Sequence, residues 1–192
     1  MTETEFVAKL KKGDFDAFDE LVKQFGNQVF NTTISLLQNR EDAEDITQEV
    51  FAEVFESVKL FNENAKLATW IYRIAVTKSL DHLRKKKAKK RFGFVQSIFG
   101  KEGAINKTDH SVFYHPSAQL ENKERAAELF KAIDQLPENQ RTAFTLHKLE
   151  ALSYAEVADI MKLSVSAVES LMVRAKQNLQ ETLTDYYKEN KG

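Results

Sequence analysis

A run of basic residues follows a stretch of aromatic residues near the middle of the chain. The run consists of Arg84, Lys85, Lys86, Lys87, Lys89, Lys90 and Arg91. It continues a predicted helix that carries Trp70, Tyr72, Arg73 and Lys78. Positive side chains attract phosphates, and neighbouring aromatic rings can stack on unpaired bases. The pattern predicts a polyanion-binding surface, with a solvated helix end as the plainer alternative; Phe61 and Trp70 fit either a core or a stacking platform.

A second candidate surface lies near the end of the chain. Ser153 and Glu156 form a capping-box pattern, and Ser164 can cap the next helix after a three-residue turn. These signals predict a helix-turn-helix, whose second helix can enter the major groove of DNA. The spacing of Val168, Met172, Ala175 and Leu179 predicts that these four residues face inward. The positions expected to face elsewhere are Ser166, Ala167, Ser170, Leu171, Arg174 and Gln177. A structural corner is the alternative interpretation.

Charge is distributed unevenly, although the net charge is only -1. Residues 1–60 carry 13 acidic and 6 basic side chains, whereas 61–91 carry 10 basic and 2 acidic ones. An acidic protein-facing region followed by a basic polyanion-facing region is the simplest interpretation.

The elements that must position these residues are predicted to be helices throughout. The chain has 192 residues with only 6 Gly and 2 Pro, which favours an all-α fold. Helices are expected near 3–12, 14–38, 42–60 and 69–90, with short joints typical of a bundle. In the third helix, an apolar stripe is predicted to face the bundle; it comprises Ile46, Val50, Phe51, Val54, Phe55 and Val58.

The helical pattern weakens between about 92 and 116, a stretch that holds three of the six glycines. We predict domains at 1–91 and 117–192 joined by a linker at 92–116. A flexible chain of this length averages about 25 to 30 Å end to end, so the domains can be tethered without a rigid interface. In the second domain, helices are expected at about 117–135 and from Pro137 to about 150.

Several functional classes are disfavoured. The chain has no Cys, and its 4 His lack metal-ligand spacing, so we expect no metal or other cofactor. No apolar run approaches the roughly 20 residues that span a bilayer, and the first residues do not resemble a signal peptide, so a cytoplasmic protein without membrane insertion is expected. No catalytic motif was found, which argues against an enzyme.

Three segments resemble a known family. The stretches DAEDITQEVF at 42–51 and LATWIYRIAVTKSLDHLRKKK at 67–87 precede LPENQRTAFTLHKLEALSYAEVADIMKLSVSAVESLMVRAKQNL at 136–179. In this order, and separated by a linker, they resemble the extracytoplasmic-function (ECF) sigma factors of bacteria. The resemblance implies that the chain binds core RNA polymerase and directs transcription from promoters by recognising two DNA elements and melting the downstream one. An anti-sigma factor is a further implied partner.

The resemblance also assigns residues. It implies that the polymerase docks on Asp42, Asp45, Gln48 and Glu49. It implies that the downstream element, as single-stranded DNA, is bound by the loop residues Asn62, Glu63, Asn64 and Lys66 and by Trp70, Arg73, Thr77, Lys78 and Arg84. For the upstream element, as duplex DNA, it implies Ser164, Ser166, Ala167, Ser170, Leu171 and Arg174.

The sequence departs from the family pattern at four places. Thr77 replaces a usual Asn, Lys162 replaces a turn Gly, and Glu169 and Leu171 stand where basic residues are frequent. The recognition helix is therefore less basic than is usual, which weakens its attraction to phosphates. Two other functions are compatible with the residues alone: a stand-alone helix-turn-helix regulator, which leaves the first half unexplained, and a helical protein-binding adaptor.

Overall fold

The computed structural model describes the backbone at 2–99 and 123–189, with side chains at 2–89 and 127–184. The described parts are helical and contain no strand. The first half holds α1 (Glu3–Lys11), α2 (Phe15–Leu37), α3 (Arg40–Ser57), a 3-10 turn (Val58–Leu60) and α4 (Leu67–Phe99). The second half holds α5 (Lys123–Gln135), α6 (Glu138–Phe144), a π turn (Thr145–Leu149), α7 (Tyr154–Met161) and α8 (Val165–Glu189). The predicted all-α fold is confirmed.

Local sequence signals define the ends of the first three helices. Thr2 and Glu5 form a capping box at the start of α1, and the side chains of Asp14 and Asn39 cap α2 and α3. Helix α2 ends at Gln38, which adopts a left-handed conformation. Helices α1 to α4 enclose one apolar core, in which Leu21, Val50 and Ile71 are almost fully buried.

One residue of the predicted α3 stripe is misplaced. Ile46, Val50, Phe51, Val54 and Val58 are buried as expected, but Phe55 is 41% exposed. A stripe that combines spacings of three and four is broad, and the bundle covers only its centre. Phe55 instead contacts Phe15 and Phe18 of α2 at the edge of the bundle.

Helix α4 is longer than predicted. It was expected to end near residue 90, but it continues to Phe99 and thus includes the first eight residues of the predicted linker. A single Gly in a helix costs only about 1 kcal/mol, so Gly93 alone does not end α4. The remainder of the linker, together with residues 117–122 of the next predicted helix, lies outside the described residues.

The second half follows the predicted signals closely. Pro137 is the N-cap of α6, Ser153 and Glu156 form the capping box of α7, and the Ser164 hydroxyl accepts the amide hydrogen of Ala167. Lys162 ends α7 with φ 55°, the left-handed region that favours glycine. A lysine at this position costs on the order of 1 kcal/mol relative to glycine.

The two halves pack against each other, although the length of the linker alone would allow them to be tethered without a rigid interface. Leu36, Tyr72 and Val76 of the first half share a buried apolar cluster with residues of the second half. The second-half members of this cluster are Ala143, Leu146, Val157, Ala158, Ile160, Val168 and Met172. The physical reason lies in α4, which is apolar on two faces: Ile71, Ile74 and Ala75 enter the first core, whereas Tyr72 and Val76 enter the shared cluster.

Glu150 lies beside this shared cluster and makes stability depend on pH. Burial raises its pKa to about 7, and its Oε1 atom is buried without a hydrogen-bond partner. Burial also raises the pKa of Tyr72 to about 12, with repulsion from Glu150 and Glu156 adding to the effect. Because the unfolded carboxyl ionises near 4.5, the folded state holds the extra proton between these pH values, and stability falls as pH rises from about 5 to 7.

We therefore expect the wild-type protein to lose about 2 kcal/mol of unfolding free energy across this range relative to Glu150→Gln, allowing for the residue's partial exposure. Urea denaturation at pH 5 and pH 8 measures the difference. Glu169→Gln, at an exposed position of α8, is the control and should follow the wild-type curve. An identical pH dependence in Glu150→Gln and wild type would contradict this assignment.

Candidate nucleic-acid interfaces

Five of the nine predicted downstream-element residues line one cleft. The cleft has a volume of about 730 Å³ and lies between α3 and α4 on one side and α6 and α7 on the other. The five residues are Trp70, Arg73, Thr77, Lys78 and Arg84. Trp70, Arg73 and Thr77 follow one another at intervals of three and four residues, which places them on one face of α4, and Lys78 and Arg84 line the same cleft. The first-half wall of the cleft thus combines an aromatic ring and several basic side chains with the carboxylates of Glu49, Glu53 and Asp81.

The aromatic pair at the cleft resolves the two interpretations left open by the sequence. Phe61 is buried in the core of the first half. Trp70 is partly buried, with its ring centroid 5.1 Å from that of Phe61, and it also lines the cleft. Phe61 is therefore a core residue, whereas Trp70 both packs on the core and presents part of its ring to the cleft.

The loop before α4 exposes the four predicted loop residues. Asn62, Glu63, Asn64 and Lys66 are all exposed, and Glu63 has a left-handed backbone with φ 58°. The Asn62 side chain accepts a hydrogen bond from the Asn64 amide. The loop therefore presents a short row of polar side chains beside Trp70.

Acidic residues of the second half form ion pairs with basic residues of this surface. The Arg73 guanidinium pairs with the Asp159 carboxylate and donates to its backbone carbonyl at 2.9 and 3.0 Å. Arg84 pairs with Glu138 at 2.6 Å and with Asp81 at 3.0 Å. The backbone amide and hydroxyl of Ser153 lower the pKa of Glu156, and the nearby charge of Lys66 lowers it further.

The lysines of α4 differ in their surroundings. Lys78 lies 3.0 Å from Glu53 and 3.6 Å from Glu49; burial opposes its charge, but these two partners raise the pKa of Lys78. Lys86 pairs with Asp42. Lys85, Lys87 and Lys89 are exposed, while the side chains of Lys90 and Arg91 lie outside the described residues.

The four predicted docking residues of α3 differ in their contacts. Asp42 contacts His82 at 3.3 Å and pairs with Lys86, and Glu49 faces Lys78, so these two carboxylates are turned toward α4. Asp45 and Gln48 are exposed. Two of the four residues thus have basic partners on α4.

An apolar groove adjoins Gln48 and was missed by sequence analysis. It has a volume of about 640 Å³ between α2 and α3, and its walls are almost entirely apolar. Phe15 is 73% exposed at its edge and stacks on Phe55 with ring centroids 6.0 Å apart, while Phe18 meets Phe55 edge to face at 5.1 Å. Exposed aromatic clusters of this kind mark protein-binding surfaces. The helical spacing of these phenylalanines in the sequence could have predicted the cluster.

The recognition helix α8 has the predicted inward face. Val168, Met172, Ala175 and Leu179 are all buried. Ser164, Ser166, Ser170 and Arg174 are exposed, whereas Ala167 and Leu171 are half-buried. Leu171 packs on the cluster shared by the two halves, and exposed Val165 and Val173 add apolar surface that the sequence analysis did not include.

These features together define a two-part, all-helical DNA-binding protein, with a basic aromatic surface in one half and a helix-turn-helix in the other. Comparison with known proteins agrees. Residues 21–89 match the family model for Sigma-70 region 2, and 126–179 match that for Sigma-70, region 4.

Full-length relatives define the family. The ECF RNA polymerase sigma factor SigW of Bacillus subtilis is 31% identical over 183 residues, which cover 93% of this chain and 95% of SigW. The ECF RNA polymerase sigma-E factor of Escherichia coli K12 is 30% identical over 181 residues, 92% of each chain. The chain belongs to the ECF RNA polymerase sigma factors. It is a promoter-recognising transcription initiation factor, and its partners are core RNA polymerase and promoter DNA.

Solved structures share the fold. CnrH, solved in complex with the cytosolic domain of CnrY, has a TM-score of 0.67 at 19% identity and covers 95% of this chain and 97% of CnrH. The sigma factor RpoE of Bartonella quintana, solved with the anti-sigma factor NepR, has a TM-score of 0.64 at 22% identity and covers 87% and 96% of the two chains. Within the described parts of the chain, no helix has the length and apolar character needed to cross a membrane.

Proposed function

We propose that residues 1–91 form the domain that docks on core polymerase and melts the downstream promoter element, that 92–116 link the domains, and that 117–192 read the upstream element. The observation that carries this proposal is the cleft along α4, where Trp70 lies beside Arg73, Thr77 and Lys78. Cationic side chains beside an aromatic ring suit displaced single-stranded DNA.

Melting in this scheme uses binding energy alone. Opening the duplex costs stacking and pairing energy, and the protein offsets this cost by holding one extruded base in the loop at 62–66. Arg73, Lys78 and Arg84 bind the displaced strand, with Thr77 as a shorter hydrogen-bonding group. Chemistry at the growing RNA belongs to the polymerase, so the chain itself acts as a non-enzymatic factor, and we place it in the cytoplasm with that enzyme.

Docking on polymerase is assigned to the exposed side of α3 and the adjacent groove. Asp45 and Gln48 supply polar contacts, and the aromatic groove lined by Phe15, Phe18 and Phe55 supplies apolar area. Asp42 and Glu49 contribute indirectly, since their contacts with Lys86 and Lys78 fix α3 against α4.

Upstream recognition is assigned to the N-terminal part of α8. Ser164, Ser166 and Ser170 present hydroxyls, with Ala167 and Leu171 on the adjoining apolar surface, and Arg174 supplies a positive charge for a guanine edge or a phosphate. Arg174→Ala is expected to weaken binding to upstream-element duplex by about fivefold to tenfold, because it removes one charged contact. Fluorescence anisotropy of the polymerase complex on labelled duplex measures the change.

The melting temperature of Arg174→Ala should stay within a few degrees of wild type, because the side chain is exposed. Lys176→Ala, at an exposed position of the same helix, is the matched control for loss of one positive charge. A large drop in melting temperature with unchanged DNA binding would contradict the assignment of Arg174 to DNA.

Run-off transcription tests the function as a whole. Core polymerase with this protein should produce transcripts from a promoter pool of the source genome that share two spaced upstream elements, and core polymerase alone should not. An absence of such transcripts, together with no binding to core polymerase, would favour the adaptor alternative.

We also propose an anti-sigma partner, on the ground that both fold relatives were solved with a bound protein, one of which is named an anti-sigma factor. Affinity purification from uninduced cells tests this idea.

A further inference from the structure

Helix α1 contacts the loop that precedes α4 through three polar or charged interactions. The Lys11 ammonium donates to Glu63 Oε1 at 2.8 Å. The same ammonium lies 5.9 Å from the centre of the Phe61 ring, and Glu3 Oε1 accepts the backbone amide of Leu67 at 2.8 Å. The contacts span 52 and 64 residues of sequence, so they tie the beginning of the chain to both sides of one loop.

The apolar face of α1 fixes the helix against the core of the first half. Phe6, Val7 and Leu10 are buried in the core of the first half, so the helix cannot shift without exposing them. Lys11 and Glu3 lie near opposite ends of the helix, and each reaches the loop from this fixed base. Helix α1 therefore holds the loop at two points.

Each contact has a specific local effect. Leu67 is the first residue of α4, where backbone amides lack partners within the helix, and the Glu3 carboxylate satisfies one of them. Glu63 adopts a left-handed conformation, which L-residues seldom adopt, and its carboxylate is held by Lys11. The two contacts thus fix the start of α4 and the unusual backbone of the loop.

We propose that α1 positions the loop at 62–66 for recognition of the downstream promoter element, with Lys11 and Glu3 as positioning residues. This inference rests on the proposed role of the loop in holding an extruded base. Lys11 does not touch DNA in this scheme; it orders the loop before DNA arrives, so that less conformational entropy is lost when the base enters.

A charge swap between Lys11 and Glu63 tests the proposal. The full-length variants Lys11→Glu, Glu63→Lys and the double variant are each combined with core polymerase. Open-complex formation is measured on a promoter mapped by run-off transcription, and again on that promoter with its downstream element replaced. Each single variant is expected to lower the preference for the intact element by about fivefold, and the double variant to recover it to within about twofold.

Two further variants separate this role from general stability. Lys9→Glu reverses an exposed charge on the same helix and should behave as wild type. Lys11→Met keeps an unbranched side chain of similar length but removes the charge. It should lower the preference for the intact element in the same direction as Lys11→Glu, but by a smaller factor. Trp70 is the single tryptophan of the chain and its ring packs against that of Phe61, so its fluorescence reports whether each variant retains the local fold.

The outcomes are distinct. Loss of promoter preference in both single variants and recovery in the double variant would support the proposal. Normal preference in the single variants, or a double variant as defective as either, would overturn it. Asn62→Ala and Asn64→Ala test the loop itself: if they also leave the preference unchanged, the proposed base-binding role of the loop fails, whereas a defect in them alone would refute the inference about α1.

Discussion

Replacing Asp45 by lysine together with Phe55 by serine is expected to weaken binding to core RNA polymerase by about 100-fold. Asp45 and Phe55 are both exposed on α3, and Phe55 lies in the aromatic groove beside α2. The double change removes an apolar anchor and reverses a charge on one surface. Titration of labelled protein with core polymerase, followed by fluorescence anisotropy, measures the affinity.

The fold should survive these substitutions. Phe55 contacts Phe15 and Phe18 at the edge of the groove, and none of the three belongs to the fully buried core. Glu20→Lys with Leu60→Ser is the matched control, since it also reverses one exposed acidic residue and removes one exposed apolar residue of the first half. The control should bind polymerase as wild type does. Equal affinity of the Asp45/Phe55 variant and this control would exclude the groove as the docking surface.

Much of the fold follows from local signals in the sequence. The capping box at Ser153 and Glu156 and the cap at Ser164 predicted the helix-turn-helix, because such short polar motifs act within one turn of backbone. The inward face of α8 followed equally from the spacing of Val168 and Met172. Lys162 stands where the family usually has a turn glycine, and its left-handed conformation is consistent with that substitution.

Other features depend on contacts between segments distant in sequence. Asp42 and Glu49 of the predicted docking set have ion-pair partners on α4, Lys86 and Lys78, which no pattern within α3 reveals. Phe55 was assigned to the core because periodicity cannot tell the centre of an apolar stripe from its edge. The contacts of α1 with the loop likewise join residues that no local pattern relates.

The sequence of α4 carries a signal for the packing of the two halves, but the signal is ambiguous. Residues 71–76 are apolar except for Arg73, which indicates a helix covered on more than one side. The sequence does not say which element covers the second side. In the structure it is the helix-turn-helix, and Arg73 is met there by Asp159. The Arg73 guanidinium is held by Asp159 while the halves share this cluster, and separation of the halves would free it.

Charge reversal of Asp159 and Glu138 to arginine is therefore expected to open the free protein and to raise its affinity for DNA about tenfold in the absence of polymerase. Both residues belong to the second half, and they pair with Arg73 and Arg84 of α4 when the two halves pack together. In the variant, arginine would face arginine at both places. The repulsion favours separation, which exposes the basic side of α4 to phosphates.

Small-angle X-ray scattering measures the opening, because a compact chain of this length has a radius of gyration of about 16 Å and separated halves give a value several ångströms larger. Binding to single-stranded DNA, followed across a salt series, measures the released surface: freed cations should steepen the salt dependence as well as raise the affinity. Glu128→Arg with Glu181→Arg changes the net charge equally and controls for simple attraction; Glu128 has its ion-pair partner on its own helix, Lys131 at 3.9 Å, and Glu181 is exposed on α8. If this control gains as much affinity as the Asp159/Glu138 variant, and neither expands, then the contact between the halves does not limit access of DNA to α4.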